Sequence, residues 1–362
     1  MVDSSDDHKI FYFSDYEPLE NSSLEFGYSD SSAHLSCNQQ QAKTFDGRFL
    51  PAFYSPLFIL GMLGNVLVVV VLLKNRQRLQ STEIFIMHLA VADILLVMTL
   101  PFWAVQAVSG WLFGEVLCKM MASVFKINFY AGIFLLMCIS IDRYMSIVYA
   151  VQIYKKHRSH MVHWSCLLVW GLCIILSIPD IMFSQVLHEY RTNVTECQLN
   201  FPISSSQHWR ITMILLYNVL GFLLPLCGML YCYTHIILTL VRSQGFKKHR
   251  ALRVIIAVVV AFFLCWAPYN IAVLINALIM LQIFVSSCAQ EKNLDIAMSV
   301  TLGLCYFHCC LNPVLYAFVG AKFKNKFVEL LSHTGICPKF VNLPARPSTT
   351  WSESADTSHS GI

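Results

Sequence analysis

Seven stretches of this chain are almost continuously apolar, and short polar segments separate them. They run approximately over 52–73, 84–107, 116–141, 164–183, 211–240, 252–281 and 295–319. A helix of about 20 apolar residues spans the roughly 30 Å hydrocarbon core of a bilayer, so each stretch predicts a transmembrane helix. Pro101, Pro179, Pro225, Pro268 and Pro313 fall inside these runs. A proline in a soluble helix costs about 3 kcal/mol. Within a bilayer, neighbouring helices, side chains and waters re-satisfy the freed carbonyls, so the prolines do not break the reading.

The polar segments set the orientation. Lys74, Arg76 and Arg78 follow the first span. Arg143, Lys155, Lys156 and Arg158 follow the third. Arg242, Lys247, Lys248, Arg250 and Arg253 follow the fifth, and Lys322, Lys324 and Lys326 follow the seventh. The alternate loops carry few bases. Basic loops stay cytosolic, so the amino terminus is expected outside and the carboxyl terminus in the cytosol. No apolar segment of the signal-peptide kind follows Met1, so the first span is expected to act as its own insertion signal. The sequons at Asn21 and Asn193 both fall on the expected outside and predict glycosylation there.

Composition agrees. The chain is 56% hydrophobic and only 13% charged, about half the charged share of a soluble domain. Charge is also unevenly placed. Residues 1–30 hold eight acids and one base, Lys9, a formal charge of −7. Such a tail is expected to be disordered when free and to attract a basic partner. Residues 320–331 set Phe323, Phe327, Leu330 and Leu331 against Lys322, Lys324 and Lys326, which reads as a short helix lying on the inner membrane face. Cys337 beyond it is a palmitoylation candidate. The fold expected is an all-α seven-transmembrane bundle with an amphipathic eighth helix. It divides into an acidic, ligand-binding tail (1–50), the bundle (51–319), the surface helix (320–331) and a Ser/Thr-rich cytoplasmic tail (332–362).

Most of the fourteen cysteines lie within spans, where a buried thiol is ordinary packing. Cys37, Cys118, Cys197 and Cys288 lie in outer segments. Four cysteines in an oxidising compartment allow three pairings. Of these we favour Cys118 with Cys197, tying the third span to the second outer loop, and Cys37 with Cys288, tying the tail to the third.

The span cores carry motifs in a fixed order. Span one has Gly64-Asn65-Val66, and span two has Leu89-Ala90-Val91-Ala92-Asp93. Span three ends in Asp142-Arg143-Tyr144. Span six has Cys265-Trp266-Ala267-Pro268, and span seven has Asn312-Pro313-Val314-Leu315-Tyr316. One per helix, they resemble the rhodopsin-like G-protein-coupled receptors over residues 50–331. Thr99-Leu100-Pro101, the second outer cysteine pair, the short basic third inner loop and His308-Cys309-Cys310-Leu311-Asn312-Pro313 are similar to the chemokine receptors. Phe307-His308-Cys309-Cys310 and Tyr231-Cys232-Tyr233-Thr234-His235-Ile236 look most like the CXC type three group.

That resemblance implies a plasma-membrane receptor for CXC chemokines, which are small basic proteins. It also implies coupling to an inhibitory-class heterotrimeric G protein and leukocyte migration. The rival within the family is an atypical receptor that scavenges ligand without signalling; such receptors usually carry a damaged Asp-Arg-Tyr motif. Tyr12, Tyr16 and Tyr28 would be sulfated contacts in the tail. A second contact would be a pocket lined by Tyr54, Trp103, Phe125, Lys126, Asp180, Tyr269, Asp295 and Tyr306. This chain departs from the group's pattern there. Gln106 and Asn276 stand in place of acids, Leu302 in place of a polar residue, and Lys126 in place of an amide. Lys126 would neutralise Asp180 if the two face each other. Asp93, Asn128, His308 and Asn312 would form a polar cluster that often holds a sodium ion in the family. Arg143 would pair with Asp142 at rest and turn toward Tyr233 and Tyr316 when active. Trp266 above the Pro268 kink would transmit the movement. The family's second lock would need an acid near Lys247-Lys248-His249-Arg250, and none is there. Arrestin would dock on the phosphorylated tail, where Ser348, Thr349, Thr350, Ser352 and others cluster.

Other classes are disfavoured. No nucleophile–base set or metal-spaced histidine set marks an enzyme, and no nucleic-acid partner is expected. Internal repeats and paired broken helices, which mark transporters, are lacking. Phe125 stands where amine receptors place an acid. Residues 296–319 lack the lysine that binds retinal.

Overall fold

A computed structural model describes residues 40–74, 79–149, 152–189, 194–242 and 249–319. All of them belong to one compact unit of the chain. Among the described residues, seven helices are long and apolar enough to cross a membrane. They are α1 (Gln40–Lys74), α2 (Ser81–Ser109), α3 (Gly114–Tyr149), α4 (Gln152–Leu176, continued by Ile178–Phe183), α5 (Ser206–Arg242), α6 (His249–Met280) and α7 (Cys288–Val319).

The bundle is apolar both inside and out. Trp266, Tyr54, Tyr130, Phe85 and Phe129 are fully buried between helices, while Leu63, Leu167, Leu168, Val241 and Leu264 are exposed. A soluble helix would show polar residues on that outer face. Exposed leucines around the whole bundle fit a hydrocarbon surrounding.

Irregularities fall where the sequence places proline or polar residues. Helix α2 bends at Met98–Thr99, just before Pro101, and Thr99 Oγ1 donates to the Leu96 carbonyl at 2.7 Å. Helix α4 bends at Ser177, where Ser177 Oγ donates to the Cys173 carbonyl at 2.8 Å, and Pro179 sits in the next turn. Helix α5 holds a π-helical segment, Leu215–Leu223, ahead of Pro225; such segments often mark functional sites. Helix α3 ends in a π-helical turn, Met145–Tyr149. Helix α6 keeps Pro268 inside it; near that proline Cys305 Sγ of α7 donates to the Cys265 carbonyl at 3.6 Å.

Two strands close one end of the bundle. β1 (Ser184–Glu189) pairs antiparallel with β2 (Val194–Leu199), Val186 opposite Cys197. The expected Cys118–Cys197 disulfide pins β2 to the start of α3, with a Cα separation of 5.5 Å. Trp111 N–H donates to the Thr195 carbonyl at 2.7 Å. Gly110 sits beside this strand at φ +82°, and a Cβ there would lie 2.7 Å from the Thr195 oxygen.

One boundary that differs from expectation bears on the site. Helix α1 starts at Gln40, inside the stretch read as tail. Phe45, Phe49 and Phe53 stack at successive turns, with ring centroids 5.0 and 5.3 Å apart. Lys43 of this extension pairs with Glu196 of β2 at 2.6 Å. The extension interleaves polar residues, so a search for continuous apolar runs passes over it. It also carries Pro51, and Pro56 lies one turn on, inside the apolar run. The expectations at Tyr12, Tyr16, Tyr28, Asn21, Asn193, Cys37, the surface helix (320–331), the tail (332–362) and Lys247-Lys248 lie outside the described residues. Cys288 is disulfide-bonded.

Candidate functional site

A cavity of about 540 Å³ opens at the end of the bundle that carries the hairpin. All eight residues expected to meet ligand inside the bundle line it: Tyr54, Trp103, Phe125, Lys126, Asp180, Tyr269, Asp295 and Tyr306. The hairpin contributes Ser184, Glu196, Cys197, Gln198 and Leu199. Gln106 and Leu302 line the wall as well, and Gln106 Oε1 accepts the Cys197 backbone N–H at 3.0 Å. The residue in place of an acid thus holds the hairpin.

Sequence reasoning missed Lys43, Asp46 and Glu196. All three line the cavity, and Asp46 Oδ1 meets no donor among the described residues. Lys43 and Asp46 sit three apart on the α1 extension, so they share a helical face. Finding them required knowing that the helix starts at Gln40.

Deeper in the wall, Lys126 and Asp180 do face each other. Lys126 Nζ stands 3.6 Å from Asp180 Oδ1; the Asp180 side chain is buried and that of Lys126 partly so. The same ammonium lies 3.6 Å above the Tyr217 ring, which the π-helical segment of α5 supplies. Desolvating a lone charge here would cost several kcal/mol. Carboxylate and aromatic face together offset that cost. Asp180 is therefore occupied by a cation belonging to the protein, as Glu196 is by Lys43; Asp46 and Asp295 line the same cavity.

An aromatic chain leads from the cavity floor into the bundle. Tyr54 meets Tyr306 edge-on at 5.1 Å, and Phe125 contacts Tyr306 at 5.7 Å and Tyr269 at 5.8 Å. Phe125 lies 5.5 Å from Trp266, and Trp266 lies 5.6 Å from His308. Trp266 is fully buried, and its Nε1–H meets no acceptor among the described residues. Phe129 and Phe262 clamp it from α3 and α6, at 4.8 and 5.7 Å. Close packing of rigid rings lets a displacement at Phe125 reach His308 without an intervening gap.

Below His308 the expected polar cluster is assembled. Asp93 Oδ1 accepts Asn128 Nδ2 at 3.2 Å and the Cys309 thiol at 3.3 Å, and Oδ2 accepts Asn312 Nδ2 at 2.8 Å. His308 Nε2 is 3.6 Å from Oδ1. Asn65 Nδ2 donates to the Gly61 and Cys309 carbonyls, both at 2.9 Å, joining α1 to α7. Sodium is a hard cation that seeks oxygen ligands. Beside the Asp93 carboxylate, Asn128 Oδ1 meets no donor among the described residues, so the cluster also holds a free oxygen of the kind a hard cation such as sodium seeks.

At the opposite end Arg143 Nε lies 3.9 Å from Asp142 Oδ2, and an Arg143 guanidinium nitrogen also reaches Thr82 Oγ1 of α2. The expected resting pair is in place. Tyr233 bonds Ser140 at 2.9 Å instead of Arg143. Tyr144 packs on Tyr231 and Tyr149. Pro313 of α7 sits so close to Gly64 that a Cβ there would approach its ring to 2.9 Å. Tyr316 follows in the last turn of α7.

The family profile described as "7 transmembrane receptor (rhodopsin family)" matches residues 64–316. The chain belongs to that family. Among curated relatives, C-X-C chemokine receptor type 3 of Homo sapiens is 46% identical over 373 residues, covering all of both chains. The Rattus norvegicus protein of the same name is 46% identical, covering 95% of each chain. C-X-C chemokine receptor type 2 of Homo sapiens is 39% identical over 86% of each. The chain is thus a rhodopsin-family member of the CXC chemokine receptor group, a multi-pass protein of the plasma membrane and not an enzyme. The resemblance read from the span motifs is borne out.

Proposed function

We propose that this receptor binds a CXC chemokine and activates an inhibitory-class heterotrimeric G protein, directing leukocyte migration. The observation that carries the reading is the unbroken contact path from an acid-rimmed cavity, through Phe125 and Trp266, to the Asp93 cluster. Chemokines are basic, and Asp46 offers their cationic amino terminus a counter-charge where Asp180 is taken by Lys126 and Glu196 by Lys43. The acidic tail at residues 1–30 adds long-range attraction that raises encounter rates and weakens with salt. A ligand that wedges between Tyr269, Tyr306 and Phe125 acts on Trp266. The two packings of the bundle then differ at the Arg143 end, where releasing Asp142 and Thr82 frees the guanidinium for a partner. The tail serines and threonines would then recruit arrestin once phosphorylated.

The intact Asp142-Arg143-Tyr144 favours signalling over scavenging. The test is chemokine-stimulated nucleotide exchange on purified inhibitory G protein, with receptor in nanodiscs and Arg143→Ala as control. Exchange that rises with ligand and is abolished in the control is expected. Saturable chemokine binding without exchange would assign the scavenging role, and no binding across a CXC panel would remove the chemokine reading.

A further inference from the structure

We propose that the Lys126–Asp180 pair and Ser184 form a subsite for a neutral carboxamide carried on an apolar stem. All three residues line the cavity, together with Phe125 and Tyr269. Asp180 lies in the helical turn Ile178–Phe183, and Ser184 ends that turn with its backbone N–H on the Asp180 carbonyl. Positions four apart on a helix share a face, so the carboxylate and the hydroxyl project from the same side. Ser184 is 1% exposed, and its Oγ meets no partner among the described residues.

The ion pair keeps hydrogen-bonding capacity. Lys126 Nζ is 3.6 Å from Asp180 Oδ1, beyond the roughly 2.7–3.2 Å of a made hydrogen bond. An ammonium has three donors; the carboxylate and the Tyr217 ring face account for two of them. The pair is neutral as a unit and sets a donor beside an acceptor, whichever partner holds the shared proton. A ligand cation here meets the lysine, and a ligand anion meets the aspartate. Either one leaves a net charge in a buried wall, which is costly. A carboxamide brings no charge. Its carbonyl oxygen has two lone pairs, one for Lys126 and one for Ser184, and its N–H donates to Asp180. A site built of such groups rejects an end group that leaves them unmatched. Phe125 and Tyr269 supply the surface on which an apolar stem packs. Resting on the chemokine reading above, the subsite selects ligands whose penetrating segment carries an Asn, a Gln or a lactam rather than Arg or Lys.

The test uses full-length receptor in nanodiscs and three probes that share one stem: phenylbutyramide, phenylbutyrate and phenylbutylamine. Dissociation constants come from saturation-transfer NMR titrations, with the signal from empty nanodiscs subtracted. The amide is expected to bind wild-type receptor about tenfold more tightly than the acid or the amine. Ser184→Ala should weaken the amide roughly fivefold and leave the other two probes and the melting temperature unchanged, since the hydroxyl has no partner to lose. Lys126→Met should reverse the order in favour of the amine, because Asp180 is then unopposed. The wild-type series and Ser184→Ala decide the matter even if Lys126→Met fails to fold. Equal binding of amide and amine, tighter binding of the acid, or an amide affinity indifferent to Ser184→Ala would overturn the proposal. No readout involves chemokine or G protein, so a failure here is distinct from a failure of the functional reading.

Discussion

The pair formed by Lys126 and Asp180 offers a sharp test of how the cavity wall is held. Its charges lie 3.6 Å apart. At an effective dielectric of about 20, the Coulomb attraction at that distance is about 4–5 kcal/mol. Desolvation of both groups opposes it, and the Tyr217 face adds back roughly 1–2 kcal/mol. The net worth of the intact pair is therefore small, while removing one partner strands the other. Asp180→Asn or Lys126→Met should each destabilise the receptor by about 3–5 kcal/mol. For a protein of this size that lowers the melting temperature by roughly 6–15 °C. The double variant leaves no buried charge, and Met fills most of the lysine's volume, so it should recover most of the loss. The assay is thermal unfolding in nanodiscs followed by a cysteine-reactive dye or by tryptophan fluorescence, read as a double-mutant cycle. If the double variant is as unstable as the two singles combined, the residues do not interact and the account of the cavity wall fails. Ligand binding supplies a second readout. Lys126→Met exposes Asp180 to the cavity, so affinity for a basic peptide should rise while stability falls.

Two further outcomes follow from packing and charge. A Cβ at Gly221 would lie 2.7 Å from Phe129 Cε1, 2.8 Å from Tyr130 Cε1 and 3.1 Å from the Leu216 carbonyl; Gly221→Ala should cost about 1–3 kcal/mol, seen as a lower melting temperature, and an unchanged value would show that the π-helical segment is not packed as described. Lys43 and Glu196 are partly exposed, so Lys43→Met should change stability by no more than about 1 kcal/mol. The same change frees Glu196, so the association rate of a basic chemokine, followed by surface plasmon resonance at two salt concentrations, should rise and become more salt-dependent. An unaltered rate would remove Lys43 and Glu196 from the entry route.

Much of this protein was legible in one dimension. Seven apolar runs fix seven membrane helices because a bilayer leaves the backbone no other way to satisfy its hydrogen bonds. The span motifs named the family, and the eight expected cavity residues lie around one space, since a shared bundle places equivalent positions alike. Tertiary structure alone decided the rest. Whether Lys126 meets Asp180 depends on the rotation of α3 against α4, and hydropathy carries no information about rotation. Asp46 and Lys43 entered the cavity because α1 extends beyond the membrane, where polar residues erase the apolar signal. His308 and Cys309 are adjacent in sequence, but only the packing of α7 against α2 sets both of them at Asp93. Local sequence fixes which segments are helices; the distances between charges on different helices arise only once those helices pack.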